Sequence, residues 1–209
     1  MSGLRISARC ESADPGAPFG GDWYLVAAQA DGDVVLAVGD VTGHGLSAAA
    51  MMVQLRFAMA AYVAEDVPPA VVLGRLNALL CGSGRGLFAS AVVARYRPAS
   101  GELRWARAGH LPLLLVSGAR VLALPNPDGP LLGLTEAADF RHSSVWLRPG
   151  ERIVGYTDGM VGRGSIDEGI SRLAGRIQRA LACSDDLLDR LDYRSAGDDA
   201  CVLVAQRLA

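Results

Sequence analysis

Between Phe88 and Ala123 four short apolar runs follow one another: Phe88–Tyr96, Glu102–Ala108, Leu113–Val116 and Arg120–Ala123. The turn-forming pieces Pro98-Ala99-Ser100-Gly101 and Val116-Ser117-Gly118 separate them. Runs with this hairpin-like spacing point to largely antiparallel sheet, although the spacing does not fix the strand order. The same signature occurs earlier, where Trp23–Gln29 and Val34–Gly39 flank Ala30-Asp31-Gly32-Asp33, an Asp-Gly hairpin signal. It returns later at Ser143–Leu147, Arg152–Thr157 and Ala200–Arg207.

Helical patterns interrupt the strands in two pairs. The first pair is Leu46–Ala64 and a helix opening at Pro68-Pro69 and reaching Cys81; the second is Asp167–Ala182 and Asp185–Leu191. Strands in hairpin order with helices grouped apart predict an α+β fold, largely antiparallel sheet with helices packed outside. The length of 209 residues suits a single domain over 1–209, and 51% hydrophobic residues are enough for a sizeable core.

Composition excludes several functions. The formal charge of -2, with no basic run, argues against nucleic acid as a partner. All 20 basic residues are arginine, so no lysine can serve as a nucleophile, a Schiff base or a P-loop cation. Cys10, Cys81, Cys183 and Cys201 are scattered and form no CxxC pair, which argues against zinc and makes a reducing cytoplasm the simplest setting. Leu46–Ala64 is long and apolar enough to span a bilayer. Gln54 and Arg56 near its middle would be expensive in lipid, so a packed helix without membrane insertion is expected.

Acidic residues recur at strand ends. Asp22 stands just before a strand, Asp40 follows Val34–Val38, Asp158 follows Ile153–Tyr156, and Asp198 precedes the strand at Ala200. Carboxylates converging on one sheet rim repel unless cations sit among them, and oxygen-only ligands select hard ions such as Mg²⁺ or Mn²⁺. Taken singly, aspartate beside glycine serves turns and helix caps as readily as metals. Gly39–Gly45 lacks the lysine and spacing of a Walker A loop. His44 reads either as a general acid or as a local hydrogen-bonding residue, and His110 is better read as structural. No serine or cysteine has the context of a covalent nucleophile.

The order of these segments resembles one family. Gly20-Gly21-Asp22-Trp23-Tyr24 is similar to its GGDFYD, and Gly39-Asp40-Val41-Thr42-Gly43-His44-Gly45 to its GDVSGHG. Leu76–Leu80 resembles its LNxxL, Ala108-Gly109-His110 its AGHxP, and Leu131-Leu132-Gly133 its PLG. Tyr156-Thr157-Asp158-Gly159 matches its YTDG, and Asp198-Asp199 its terminal DDxT. The family is the stage II sporulation protein E type of serine/threonine phosphatase, within the metal-dependent protein phosphatases of the 2C type.

The resemblance implies a four-layer α-β-β-α sandwich of two antiparallel sheets flanked by helix pairs, with two divalent cations, Mn²⁺ or Mg²⁺, at one edge. Carried onto this chain, it makes Asp40 the bridge between the metals, with Asp22 acting chiefly through water and the Val41 carbonyl completing one shell. Asp158 and Asp198, rather than Asp199, would hold the second metal. A metal-activated water would hydrolyse phosphoserine or phosphothreonine, and His44 would assist the leaving group. The implied substrate is a phosphorylated anti-sigma-factor antagonist, with regulation by a sensor or other partner in trans. Leu25 replaces an acid, Gly162 a glutamate and Cys201 the threonine of DDxT, and Gly162–Glu168 is short for the family. These departures give weight to an alternative, a catalytically weak pseudophosphatase that binds a phosphoprotein or a kinase.

Overall fold

The computed structural model describes residues 3–13, 20–162, 164–183, 187–191 and 197–209. Its strands are β1 (Leu4–Glu11), β2 (Asp22–Ala28), β3 (Val34–Val41), β4 (Ala89–Arg97) and β5 (Glu102–Ala108). They continue as β6 (Leu114–Ser117), β7 (Arg120–Ala123), β8 (His142–Trp146), β9 (Arg152–Tyr156) and β10 (Ala200–Arg207). The helices are α1 (Gly45–Ala64), α2 (Pro69–Gly82) and α3 (Ile166–Cys183).

The strands form two antiparallel sheets, ordered β2-β3-β4-β5-β8 and β1-β10-β9-β6-β7. Val34, Leu36, Val38, Val92, Tyr96 and Trp105 of one sheet meet Ile153, Leu203 and Ala205 of the other in a shared core. The alternate residues Val35, Ala37, Val93 and Ala106 face α1 and α2 through Met51, Leu55, Met59, Leu73 and Leu76. On the far side, Val154, Tyr156, Val202 and Val204 meet Leu173 and Ile177 of α3. This is the expected α-β-β-α order of layers. It explains why β3 reads as a continuous apolar run, since both of its faces are covered and Val34 through Gly39 are all buried.

The helical layers differ in kind. On α3, Ile170, Leu173, Ile177 and Ala180 recur at helical spacing and supply one apolar stripe. Helix α1 is long and apolar enough to cross a membrane, and only about a third of it is buried. Ala48, Met51, Leu55, Met59 and Val63 are buried, while Leu46 is 88% and Phe57 67% exposed. Arg56, whose charge weighs against lipid, donates from Nε to the Tyr24 carbonyl at 3.1 Å and ties α1 to β2.

Two sequence expectations change. The helix expected over Asp185–Leu191 is, among the described residues, one 3₁₀ turn at Leu188–Arg190, with residues 184–186 outside the description. A single turn is enough to bury Leu187, Leu188 and Leu191 against the sheet, and so short a segment has little helical stability of its own. Strand β1 was not anticipated. Its Leu4, Ile6 and Ala8 alternate into the inter-sheet core, but the arginines and serine between them hide the pattern.

Candidate active site

The β2–β3 hairpin sets Asp22 directly opposite Asp40. Side chains opposed across an antiparallel pair share one face, so the register brings both carboxylates to the same end of the sheet. The flanking glycines are required by close approach. A Cβ on Gly20 would lie 1.7 Å from Asp199 Oδ2, and one on Gly21 would lie 2.7 Å from the Val41 carbonyl oxygen. Gly39 lies under the Trp23 ring, where a Cβ would come within 2.2 Å.

The second sheet brings its acids to the same place. In the β9–β10 pair Tyr156 opposes Val202, and the pairing continues past the strand end, where Thr157 N–H donates to the Cys201 carbonyl at 3.0 Å. Asp158 follows and starts a 3₁₀ turn, Asp158–Met160. Gly159 fits beneath Asp199, whose carbonyl oxygen would stand 1.9 Å from any added Cβ.

Thr157 joins the two sheets. Its hydroxyl donates to Asp22 Oδ2 at 2.6 Å and accepts from the Cys201 N–H at 2.8 Å. Asp199 makes a second bridge: Oδ2 accepts from Gly21 N–H at 2.9 Å and Oδ1 from Ala13 N–H at 2.9 Å. Asp198 is exposed and accepts from the Asp199 N–H at 2.9 Å. Replacing Thr157 with valine preserves shape but removes both hydroxyl bonds. The variant should lose about 1–3 kcal/mol of stability in EDTA, read from urea unfolding; an unchanged midpoint would contradict the bridge.

The gathered carboxylates raise one another's affinity for protons. Burial, then the Asp40 charge, holds the Asp22 carboxyl well above the usual range, with Asp158 and Asp199 adding to it and Thr157 opposing. Asp40 is pushed up to about 7 by burial first and Asp158 next, with Asp198 and Asp199 adding. Asp158 is raised by burial and by Asp198. A set of acids that resists ionisation together is short of positive charge, which a hard cation supplies. The donors are all oxygen, and the glycine at 21 leaves room beside the Val41 carbonyl, so the residues fit divalent ions of the Mg²⁺ or Mn²⁺ type. Among the described residues, no group of three or more His, Cys, Asp or Glu side chains is gathered closely enough to hold a metal as it stands.

The other sequence candidates fall around this corner. Asp40 and Val41 end β3. His44 is exposed at the N-terminus of α1, with extended backbone and no capping hydrogen bond from its side chain. Leu25 is buried in the core under α1, so the acid it replaces would have faced apolar side chains here. Gly162 has φ +71, a left-handed conformation that a glutamate would strain.

Several motif residues prove architectural. Buried His110 accepts or donates at 2.7 Å with Ser90 Oγ and at 3.0 Å with the Tyr156 carbonyl. Burial lowers its pKa to about 4, so it is neutral at pH 7, with Nε2–H donating to the carbonyl and Nδ1 accepting from Ser90. Asn77 is likewise buried, donating to the Thr135 carbonyl at 2.9 Å and accepting from the Gly133 N–H at 2.9 Å.

Sequence reasoning missed the bridging roles of Thr157 and Asp199, and it missed one cross-link. Cys10 and Cys201, directly opposed in the β1–β10 register, form a disulfide across 191 positions of sequence. Their distance in sequence concealed the pair, while Cys81 is a free thiol. A cleft of about 610 Å³ opens beside these groups, lined among others by Cys10, Asp22, Trp23, Phe57 and Asp199.

Two facing antiparallel sheets with acids clustered at one end have the protein phosphatase 2C fold. The catalytic domain of the phosphatase PstP, solved with two manganese ions, superposes with a TM-score of 0.71 at 17% identity, covering 99% of both chains. The chain belongs to the stage II sporulation protein E (SpoIIE) family, whose sequence profile matches residues 30–208. The RsbU and RsbW domain structure of Rv1364c from Mycobacterium tuberculosis has TM-score 0.90 and 29% identity, over 99% of this chain and 60% of that one. Phosphoserine phosphatase RsbU of Bacillus subtilis is 26% identical over 148 residues, 70% of this chain and 44% of RsbU. The chain spans less than half the length of the curated relatives it matches.

Proposed function

We propose that this chain is a metal-dependent protein serine/threonine phosphatase. The observation that carries the reading is the convergence of Asp22, Asp40, Asp158 and Asp198 from two sheets, with the first three carboxyls held above their ordinary pKa. In this reading two divalent cations would be held by Asp40, Asp158, Asp198 and the Val41 carbonyl, with Asp40 serving both ions, Asp158 and Asp198 the second, and Asp22 acting chiefly through water. Bound there, the cations supply an acidified water for attack on phosphorus and neutralise the phosphoryl oxygens.

The protein's own part is positioning. Thr157 fixes Asp22 through one oxygen, which leaves the other free of that bond and available to a cation. Asp199 spends both oxygens on backbone N–H groups, which favours the exposed Asp198 as the ligand of the pair. His44, exposed beside the site, is assigned to proton transfer to the leaving alkoxide.

The substrate proposed is a phosphoprotein of the anti-sigma-factor-antagonist type, with a sensor or other regulatory partner acting in trans. Support comes from family membership and from the joining of an RsbU to an RsbW domain in Rv1364c. A cytoplasmic setting belongs to the same reading.

The pseudophosphatase alternative draws on Leu25 and Gly162, where the chain departs from the motifs it resembles. Phosphate release from a phosphoserine protein, compared with a small phosphoester, separates these readings. Faster turnover of the phosphoprotein is expected. Preference for the small ester overturns the substrate, and binding without release in any metal favours the alternative.

A further inference from the structure

We propose that Cys10 and Cys201 are a reversible thiol–disulfide switch whose closure holds the metal-facing corner of the site in place. The pair is formed at the end of β1 nearest that corner, where Cys10 opposes Cys201 at a Cα separation of 4.0 Å. Among the described residues β1 is an edge strand paired with β10 alone, so its last residues are those most prone to fray. The disulfide ties down this end.

Each cysteine lies close to a group that holds one of the acids. Cys201 accepts from the Thr157 N–H and donates its own N–H to the Thr157 hydroxyl, which in turn holds buried Asp22. Three residues beyond Cys10, Ala13 N–H binds one oxygen of Asp199, whose other oxygen binds Gly21. Loss of the cross-link frees the β1 end and with it the Ala13 contact. Asp199 then holds Gly21, and the Val41 amide that Gly21 binds, less firmly.

Access is one-sided. Cys10 is exposed and lines the cleft of about 610 Å³, whereas Cys201 is fully buried. Exchange therefore runs through the Cys10 sulfur. On oxidation, the Cys10 thiolate attacks a low-molecular-weight disulfide, forming a mixed disulfide and releasing one thiol. The Cys201 thiolate then attacks the Cys10 sulfur, closing the protein disulfide and releasing the second thiol. Two cysteine thiols and one external disulfide become one protein disulfide and two external thiols; an excess of dithiol reverses the exchange.

The consequence for metal binding rests on the proposed site, but the switch itself does not. The test compares full-length protein after treatment with a low-molecular-weight disulfide or with a dithiol, beside a Cys10→Ser variant. The readouts are the number of alkylated cysteines, the melting temperature in EDTA, and Mn²⁺ affinity by calorimetry. Reduction should make two further cysteines alkylatable when the protein is then unfolded in denaturant, and lower Tm by about 8–15 °C, as expected for a cross-link closing a long loop. Mn²⁺ affinity should fall roughly tenfold, the scale of losing a support behind metal ligands. Cys10→Ser should match the reduced protein in Tm and Mn²⁺ affinity under both treatments, with its three remaining cysteines alkylated in each. The proposal is overturned if all four cysteines alkylate after oxidation, or if Tm and Mn²⁺ affinity ignore the redox state. If Mn²⁺ binds in neither state while alkylation and Tm respond, the metal reading falls and the structural switch stands.

Discussion

An Asp40→Asn variant folds, melts at a higher temperature than the parent protein in EDTA, and turns over phosphoprotein about a thousandfold more slowly or worse. The two effects have one cause. Asp40 faces Asp22 across the hairpin and lies within electrostatic reach of Asp158, Asp198 and Asp199, which together with burial push its pKa up to about 7. Without cations that crowding opposes folding, and a neutral amide of the same shape relieves it. The gain should be roughly 3–8 °C, since about 1–2 kcal/mol moves Tm by a few degrees per kcal/mol in a chain of this size. With cations present the same substitution removes the ligand assigned to both metals. A mutation that stabilises the metal-free protein while abolishing its chemistry is what a cluster of ligands predicts. Loss of activity through misfolding would instead lower Tm.

The second large effect is a dependence of stability on pH that divalent metal reverses. For Asp22, Asp40 and Asp158 the folded pKa lies above the unfolded value near 3.8. Between that value and about 7 the folded state of Asp40 binds more protons than the unfolded chain, so stability falls as pH rises through this window. His110 works in the opposite direction. Its folded pKa of about 4 lies below the unfolded value of 6.5, so its contribution is present above 6.5 and is lost as pH falls towards 4. In EDTA, Tm should therefore peak in mildly acidic solution and decline towards pH 8. Added Mn²⁺ should raise Tm most at pH 8, where the carboxylates are ionised, and little at pH 5. A metal-induced shift of the same size at both pH values would contradict the coupling.

Much of the fold was legible because its signals are local. Apolar runs such as Val34–Val38 and Ile153–Tyr156 are long enough to mark strands, and Asp31-Gly32 marks the hairpin that puts Asp22 opposite Asp40. Strand β1 was hidden because only one face is covered and arginines occupy the other. The features that act between distant segments were beyond local reading. Thr157 reaches Asp22 across 135 positions, Asp199 reaches Gly21 across 178, and Cys10 meets Cys201 across 191. The first two depend on how the two sheets are stacked and the third on the pairing of the first strand with the last, and no window of sequence contains either. Motif order singled out the acids and preferred Asp198 to Asp199; the structure adds that Asp199 is occupied with backbone amides while Asp198 is exposed.

The most direct measurement is phosphate release from a phosphoserine protein by the full chain, after EDTA treatment and then with Mn²⁺ or Mg²⁺ restored, with Asp158→Asn alongside. The account predicts no turnover in EDTA, recovery with either ion, and no recovery in the Asp158→Asn variant. Turnover that persists in EDTA, or a wild-type protein inactive with both ions, would contradict it.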